Sequence, residues 1–138
     1  MIRFVQFHAP HLAMFQLQEA QRASVKFGDV RQALELERDG VGWTGVDAAG
    51  VVGCAGFLPT AHGLGCWAAF SDRIGQHGRP VLAFIRQRLA LRAERQICAL
   101  VAHDFPKAAR FAQALGFEVV QSPAIEQPGH DLYRFKRG

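Results

Sequence analysis

One continuous segment, residues 65–120, constrains the fold of this chain more than any other part of the sequence. Its pattern predicts a strand, a glycine-containing loop, a basic helix, a second strand, another helix and a third strand. The first strand, residues 66–71, is short, apolar and aromatic, and the second, residues 96–102, is almost entirely apolar. Such runs are typical of strands that are buried on both faces. The segment therefore predicts a buried sheet with helices packed against it.

The loop that joins the first of these strands to the basic helix contains Gly75 and Gly78, and Pro80 suits the first turn of that helix. A strand that leads through a glycine loop to a helix N-terminus gathers unpaired backbone N–H groups at the positive end of the helix dipole. Anions bind at such places. The loop therefore predicts a site for a phosphate-bearing ligand such as a coenzyme.

The rest of the chain extends this pattern into one domain over residues 1–138. Periodicity predicts strands at residues 2–7, 41–46, 51–58, 66–71, 96–102, 117–121 and 131–136, and helices at residues 10–22, 30–39, 80–94 and 106–115. Residues 47–50 predict a hairpin turn. The order β-α-α-β-β-β-α-β-α-β-β predicts the α+β class, with a central mixed β-sheet of about seven strands flanked by four helices.

Single residues predict where these helices begin and end. Asp29 and Asp104 are predicted N-caps, because a carboxylate accepts hydrogen bonds from the N–H groups of a first helical turn. Gly40 and Gly116 are predicted to end helices, since glycine readily adopts the left-handed conformation that follows a helix.

Composition limits the classes of function. No apolar run approaches the roughly 20 residues of a membrane span, and the N-terminus lacks the apolar region of a signal peptide. Cys54, Cys66 and Cys98 form an odd, widely spaced set within predicted strands, which indicates buried free thiols in a reducing compartment and no metal site. We therefore expect a cytoplasmic protein with no membrane partner.

The net charge of +4 permits contact with phosphates but does not identify nucleic acid as a partner. Four arginines, Arg86, Arg88, Arg92 and Arg95, lie on the predicted basic helix. They form either a solvated helix face, with cations favoured near its C-terminal end, or a nucleic-acid surface. No interleaved stacking aromatic residue or nucleic-acid motif supports the second alternative, so we do not expect a nucleic-acid partner.

The order of elements, the glycine loop before the third helix and the Ala-Leu-Gly-Phe-Glu segment at residues 114–118 resemble the GNAT superfamily of N-acetyltransferases. The resemblance covers almost the whole chain by topology. By motif it depends mainly on residues 73–82 and 108–118. It implies the GNAT fold, acetyl-CoA or coenzyme A as cofactor, and an amine as the acyl acceptor.

In that family, a loop of the form Gln/Arg-x-x-Gly-x-Gly/Ala binds the coenzyme A pyrophosphate through backbone amides. Arg73 matches the first position and Gly78 the last, while Gln76 replaces the middle glycine. Gln76 is therefore expected to need a backbone conformation that glycine reaches at lower cost. The cofactor-binding residues that the resemblance implies are Arg73, Gly75, Gln76, His77, Gly78 and Arg79, with the backbone of Ala68, Ala69 and Phe70 holding the thioester carbonyl.

Each of these loop residues also has a purely structural interpretation. Gly75 and Gly78 could simply make a tight turn, and Arg73 and Arg79 could be exposed loop arginines. His77 could either touch phosphate or fill the loop, and the sequence does not separate these alternatives. Trp67 and Phe70 are expected to pack in the core or in an interface.

The catalytic positions depart from the family pattern. Phe105 stands where the family commonly has an asparagine, and Ala112 where it commonly has a tyrosine acid. The strand at residues 66–71 offers no carboxylate base. An amine nucleophile must be deprotonated, so some base or water chain is needed. The remaining catalytic candidates are His103 and Asp104. In the alternative interpretation, His103 is an ordinary surface or hydrogen-bonded histidine and Asp104 is only a helix cap. His62 and Asp72 are less favoured candidates.

A closer resemblance is to a group of short GNAT-like proteins of tailed phages and prophages. It is carried by Gly42-Trp43-Thr44, Gly65-Cys66-Trp67 and the terminal Leu132-Tyr133-Arg134-Phe135. Some members of that group are internal virion or morphogenesis proteins. This resemblance implies phage virion proteins as partners, and a host cytoplasm or a virion as the location.

Two functions therefore stay open. The first is an acetyl-CoA-dependent N-acyltransferase with a degenerate catalytic site, in which rate comes mainly from positioning and oxyanion stabilisation. The second is a catalytically silent virion protein that uses the same fold for contacts with other proteins or with further copies of itself. Fold alone does not choose between them.

Overall fold

The computed structural model describes residues 1–16, 30–61, 63–102, 105–120 and 130–136. Within them the strands are β1 (Arg3–Gln6), β2 (Val41–Asp47), β3 (Gly50–Thr60), β4 (Gly63–Phe70), β5 (Ile97–Ala102), β6 (Phe117–Val120) and β7 (His130–Phe135). The α-helices are α1 (Val30–Asp39), α2 (Gly78–Ala90) and α3 (Pro106–Leu115), and two 3₁₀ helices span Ala9–Ala13 and Asp72–His77.

All seven strands belong to one sheet, in the order β1-β2-β3-β4-β5-β7-β6. Neighbouring strands are antiparallel except β4 and β5, which run parallel. The predicted hairpin joins β2 to β3. Gly50 there has φ 118°, a backbone conformation that residues other than glycine rarely adopt. The predicted α+β class and seven-stranded mixed sheet are confirmed.

The described helices cover both faces of the sheet. On one face, Val81, Ile85 and Leu89 of α2 repeat every four residues and pack with Leu115 of α3. On the other face, Leu12 of the first 3₁₀ helix and Leu36 of α1 pack against Cys54 and Ala69. In the described part of the chain, no helix is both long and apolar enough to span a membrane.

The first predicted helix is shorter than expected. The sequence predicted a helix over residues 10–22, but the structure has a 3₁₀ helix at Ala9–Ala13, and residues 14–16 are not helical. The turn closes through bonds from His11 N to His8 O and from Met14 N to His11 O, which span three residues as in a 3₁₀ helix. Residues 17–29, including the predicted N-cap Asp29, lie outside the described residues. Within those residues the sheet therefore carries three α-helices.

Two further helix boundaries also differ from the prediction. α2 begins at Gly78 rather than at Pro80, because the preceding loop is already wound as a 3₁₀ helix, and it ends at Ala90 rather than at residue 94. The N-cap of α3 is Phe105, one residue after the predicted Asp104, since Pro106 fills the first helical position. Gly116 ends α3 with φ 103°, as predicted.

Candidate functional site

The two parallel strands in the middle of the sheet separate along their length. β4 pairs with β5 through Leu64 with Ile97 and Gly65 with Cys98, and the ladder ends there. Both strands then continue, β4 to Phe70 and β5 to Ala102. Their carboxyl ends therefore border a gap in the sheet. In open sheets with parallel strands, ligands bind beside the carboxyl ends of the strands.

The N-terminus of α2 lies at the carboxyl end of β4, directly after the 3₁₀ helix Asp72–His77. The side chain of its N-cap, His77, makes no capping hydrogen bond, and the first turn contains no acidic residue. Gly78 and Arg79 are exposed, and a Cβ added at Gly75 or Gly78 would meet no atom within 4 Å. An uncapped helix N-terminus with open space before it is suited to an anion.

One half-buried aspartate ties this loop to the sheet. Asp47, the last residue of β2, accepts hydrogen bonds from Arg73 Nη1 at 2.5 Å and from His77 Nε2 at 2.9 Å. Its other oxygen accepts a bond from the backbone N–H of Ala49 at 2.9 Å. Arg73 also donates to the carbonyl of Val51. The 3₁₀ helix is therefore held against the β2–β3 hairpin by a charged cluster of Asp47, Arg73 and His77.

The charged cluster engages the side chains of two loop residues that the resemblance assigns to the cofactor site. The hydrogen bonds from Arg73 and then His77 hold the pKa of Asp47 well below its usual value, so Asp47 is an anion and His77 Nε2 carries the shared hydrogen. The side chains of Asp47 and His77 are only 11% and 12% exposed. The side chains of Arg73 and His77 are thus directed toward Asp47 at the end of β2. Of the two loop arginines, Arg79 is the one that is exposed and has no ion pair within the described residues.

Gln76 does not need the glycine-like conformation that the family pattern led us to expect. Among the described residues, no residue other than glycine has a positive φ, and the positive values belong to Gly50, Gly63 and Gly116. Gln76 lies in the 3₁₀ helix, where an ordinary negative φ is sufficient. The replacement of a glycine at this position therefore introduces no backbone strain.

The three predicted residues of β4 lie along the gap. Ala68 and Ala69 pair with Ala55 and Cys54 of β3, and Ala69 is fully buried. The ring of Phe70 packs edge-on against Phe111 of α3, with ring centroids 5.6 Å apart. The sequence identified Phe70 as a packing residue, but it gave no signal that Phe111 would be its partner, because the two are far apart in the chain.

Of the four predicted catalytic candidates, only Asp72 lies within the described residues. His103, Asp104 and His62 lie outside the described residues. Asp72 is exposed at the start of the second 3₁₀ helix. Ala112 is buried in the core beside Leu115, and Tyr133 of β7 is buried in the same core. Ala112 therefore supplies no acid to the gap, and the described strand β4 contains no carboxylate base.

A polar chain that the sequence did not reveal crosses the opposite face of the sheet. His11 Nδ1 accepts the backbone N–H of His8 at 3.1 Å and lies 2.7 Å from Thr44 Oγ1. Thr44 is fully buried and contacts Cys54 Sγ at 3.4 Å. Burial, followed by the neighbouring His8, lowers the pKa of His11. His11 is therefore a neutral acceptor that satisfies the buried hydroxyl of Thr44.

The three cysteines are free, and all lie in strands as predicted. Burial raises the pKa of Cys54 and of Cys66 to about 12 and also raises that of Cys98. A thiol with such a pKa is a poor nucleophile at neutral pH, because the thiolate is the reactive form. These cysteines pack in the sheet and do not form a reactive centre.

Comparisons with known proteins find similarity in structure only. A scan against protein-family models found no match. A search of curated proteins also found none.

Solved structures, in contrast, match over nearly the whole chain. The GNAT domain of S. lividans PAT superposes with a TM-score of 0.73 at 14% identity, covering 97% of this chain and 89% of that one. An N-acetyltransferase from Staphylococcus aureus gives 0.70 at 10% identity and covers 98% of this chain and 97% of that one. An acetyltransferase from Thermus thermophilus superposes with a TM-score of 0.68 at 21% identity, covering 97% of this chain and 96% of that one.

Identities this low establish the fold and leave the activity open. The order of elements along the chain, the mixed sheet and the start of α2 after β4 agree with the fold that the sequence led us to expect. The chain has the fold of the GNAT acetyltransferases.

Proposed function

We propose that this protein binds acetyl-CoA or coenzyme A and is an N-acyltransferase that acetylates an amine. The observation that carries the proposal is the uncapped N-terminus of α2 at the carboxyl end of β4, beside the gap between β4 and β5. A pyrophosphate at the helix N-terminus would accept backbone N–H bonds there. The acyl arm would then follow β4 into the gap.

The residues at this place fit such a ligand. Gly75 and Gly78 leave open space where side chains would project, so phosphate oxygens can approach the backbone closely. Gln76 and Arg79 are exposed beside them, and Arg79 supplies a positive charge that no described carboxylate compensates. Arg73 and His77 contribute indirectly, since they hold the loop on Asp47.

The bound thioester would supply an activated acyl group, and the chain would supply position. We propose that backbone N–H groups of the segment formed by Ala68, Ala69 and Phe70 hold the acyl carbonyl. His103 and Asp104, which follow β5 in the sequence and lie outside the described residues, remain the proposed proton acceptors for the amine. Because positioning alone accelerates transfer strongly, a weak acid–base pair is compatible with activity.

A second candidate function is that of a catalytically silent protein that uses the fold for contacts with other proteins. It is favoured by Ala112 and Phe105 at positions where the family commonly has functional side chains, and by the engagement of Arg73 and His77 with Asp47. The phage or prophage origin, the virion partners, self-association and the cytoplasmic location remain predictions of the sequence resemblance and composition.

Calorimetric titration with acetyl-CoA and with coenzyme A tests the first proposal. We expect micromolar binding that is lost in Gly78→Trp, because an indole there would occupy the open space in front of the α2 N-terminus without clashing in the free protein. Ala90→Trp is the matched control, since it adds the same ring at the exposed opposite end of α2.

The outcomes separate the two candidate functions. Binding that is lost in Gly78→Trp and kept in Ala90→Trp supports the coenzyme site and justifies a screen of amine acceptors. No heat with either ligand at high concentration contradicts it. Native mass spectrometry of the same sample then decides for the second candidate if it finds stable oligomers without bound coenzyme.

A further inference from the structure

A groove of about 440 Å³ lies at the opposite end of α2 from the glycine loop. It is bordered by the end of β1, the start of β2, the end of α1 and one residue of α2, Arg88. Sites for small molecules usually have volumes of roughly 300–1,000 Å³, and this groove falls in that range. Aromatic side chains form part of its wall, among them Phe4 and Trp43.

Arg88 is held in this groove by an aromatic cluster made of Phe4, Trp43 and Phe84. Its guanidinium carbon lies 4.9 Å from the ring centroid of Trp43 and 4.9 Å from that of Phe84. Phe84 in turn stacks on Phe4 at 3.9 Å, and Trp43 meets Phe84 edge-on at 5.7 Å. Cation–π contacts on both rings fix the guanidinium in place before any ligand arrives.

The charge of Arg88 has no counter-ion in the described part of the chain. Its Nε is buried without a hydrogen-bond partner there. Glu37 also lines the groove, but its two oxygens already accept a bond from Ala9 N at 2.6 Å and contact His8 Nδ1 at 3.5 Å. Within the described residues, the guanidinium of Arg88 therefore has no carboxylate partner, although the ionised Glu37 lies in the same groove.

Arg92, one turn further along, shows that this situation is particular to Arg88. The guanidinium of Arg92 also lies over a ring, that of Phe57 at 5.4 Å. Glu94 pairs with it through both carboxylate oxygens. Among the residues that the structure describes, these two arginines in similar aromatic settings thus differ in that Arg92 has a carboxylate partner and Arg88 has none.

We propose that the groove binds a small molecule with a carboxylate on a flat apolar body. The carboxylate would pair with the guanidinium of Arg88, which presents planar N–H donors suited to bidentate bonds. The apolar body would lie against Trp43. Position 88 is ten residues from Gly78, or about 15 Å along the helix, so this site and the coenzyme site are independent.

The test uses sodium benzoate as the probe and benzamide as its uncharged counterpart, each titrated into ¹⁵N-labelled full-length protein at constant ionic strength. We expect saturable shifts of the Trp43 indole and the Gly42 amide with benzoate and much weaker ones with benzamide. Equal responses to both probes, or no response of these groups to benzoate, would overturn the proposal without any variant being made.

Variants at Arg88 and Arg92 then identify the cation. Arg88→Gln should weaken benzoate binding about ten-fold or more, which is the size of effect expected for loss of a charge-assisted pair. Arg88→Lys should restore part of it, and Arg92→Gln should leave it unchanged. Loss of binding in Arg92→Gln alone, or unchanged binding in a folded Arg88→Gln, would contradict the assignment. Coenzyme affinity should be the same in all three variants.

Discussion

Asp47 shows how a single residue can fix a loop that the sequence describes only as glycine-containing. Its carboxylate joins the β2–β3 hairpin to Arg73 and His77, which follow it by 26 and 30 positions. The sequence predicted Asp47 only as part of a hairpin turn, because a partner so far along the chain leaves no local pattern. Arg73 and His77, which the resemblance assigns to the cofactor site, both bond to Asp47, and their contact with a phosphate stays a prediction.

The ionised form of Asp47 should stabilise the native state. Its pKa is lowered by hydrogen bonds from Arg73 first and His77 second, so the stability that it contributes is present above about pH 4 and is lost as the pH falls. We expect Asp47→Asn to melt at a lower temperature than the parent at pH 7. The difference should narrow as the pH falls from about 4 to about 2.

Thermal unfolding followed by circular dichroism across that pH range checks this expectation. Asp39→Asn is the control, since Asp39 is also paired with an arginine, Arg38, but its side chain is 46% exposed. We expect little change in its melting temperature. Parallel pH curves for the parent and Asp47→Asn would show that the charge of Asp47 does not stabilise the fold.

His11, unlike Asp47, should stabilise the native state in its neutral form. Burial lowers its pKa from 6.5, so the unfolded chain binds a proton that the folded chain resists. The stability from this effect is present above about pH 6.5 and is lost as the pH falls below it. We expect the melting temperature to decrease between about pH 7.5 and pH 5.5.

His11→Gln isolates this effect, since an amide oxygen can still accept a bond from Thr44 but does not titrate in this range. The decrease in melting temperature should be clearly smaller in His11→Gln than in the parent. An equal decrease in the two proteins would place the responsible group elsewhere.

At the scale of elements, the turn from α3 into β6 depends on one glycine. Gly116 has φ 103°, and a Cβ there would lie 3.1 Å from Cε1 of Phe135. Its N–H bonds back to Gln113 O, while its carbonyl accepts from Lys136 N. The turn thus joins α3, β6 and the end of β7.

Gly116→Ala should destabilise the protein by about 1–3 kcal/mol, because alanine must adopt a strained backbone and displace the Phe135 ring. Urea unfolding measures the loss. Gly75→Ala is the matched control, since Gly75 has no positive φ and open space around it, and its free energy of unfolding should change little. A similar loss in both variants would contradict the role of the turn.

The sequence predicted most elements because their signals are local. The apolar runs of β3, β4 and β5, the hairpin at Gly50 and the end of α3 at Gly116 all follow from residues within one element. The start of α2 was misplaced by two residues, because Pro80 is compatible with several positions in a first turn. Helix ends are set by such small differences in hydrogen bonding.

The candidate site was less predictable for a physical reason. The glycine loop could be located from the sequence, since glycine and proline mark it directly. The partners of its side chains could not, because the Asp47–Arg73 and Phe70–Phe111 contacts depend on how the sheet and helices are arranged in space. His103 and Asp104, the proposed proton acceptors, remain predictions.

At the scale of the whole molecule, the sheet has two parts, which meet at the short ladder between β4 and β5. Strands β1 to β4 form one part, and β5, β7 and β6 form the other. Two residue pairs join the parts directly, and α2 and α3 bridge them on one face, where Arg86 bonds to Ala114 O. Each part is internally antiparallel and more extensively paired.

Because the sheet has two parts, a ligand that fills the gap would also hold these parts together. A molecule seated between the two parts contacts both, so it adds cross-links where the sheet itself has fewest. Its binding free energy therefore adds to the free energy needed to separate the two parts. With the ligand bound, amide hydrogen exchange should become slower in β4 and β5 together, and not in the glycine loop alone. The least paired place in the sheet is thus the place where a bound molecule would add most to its cohesion.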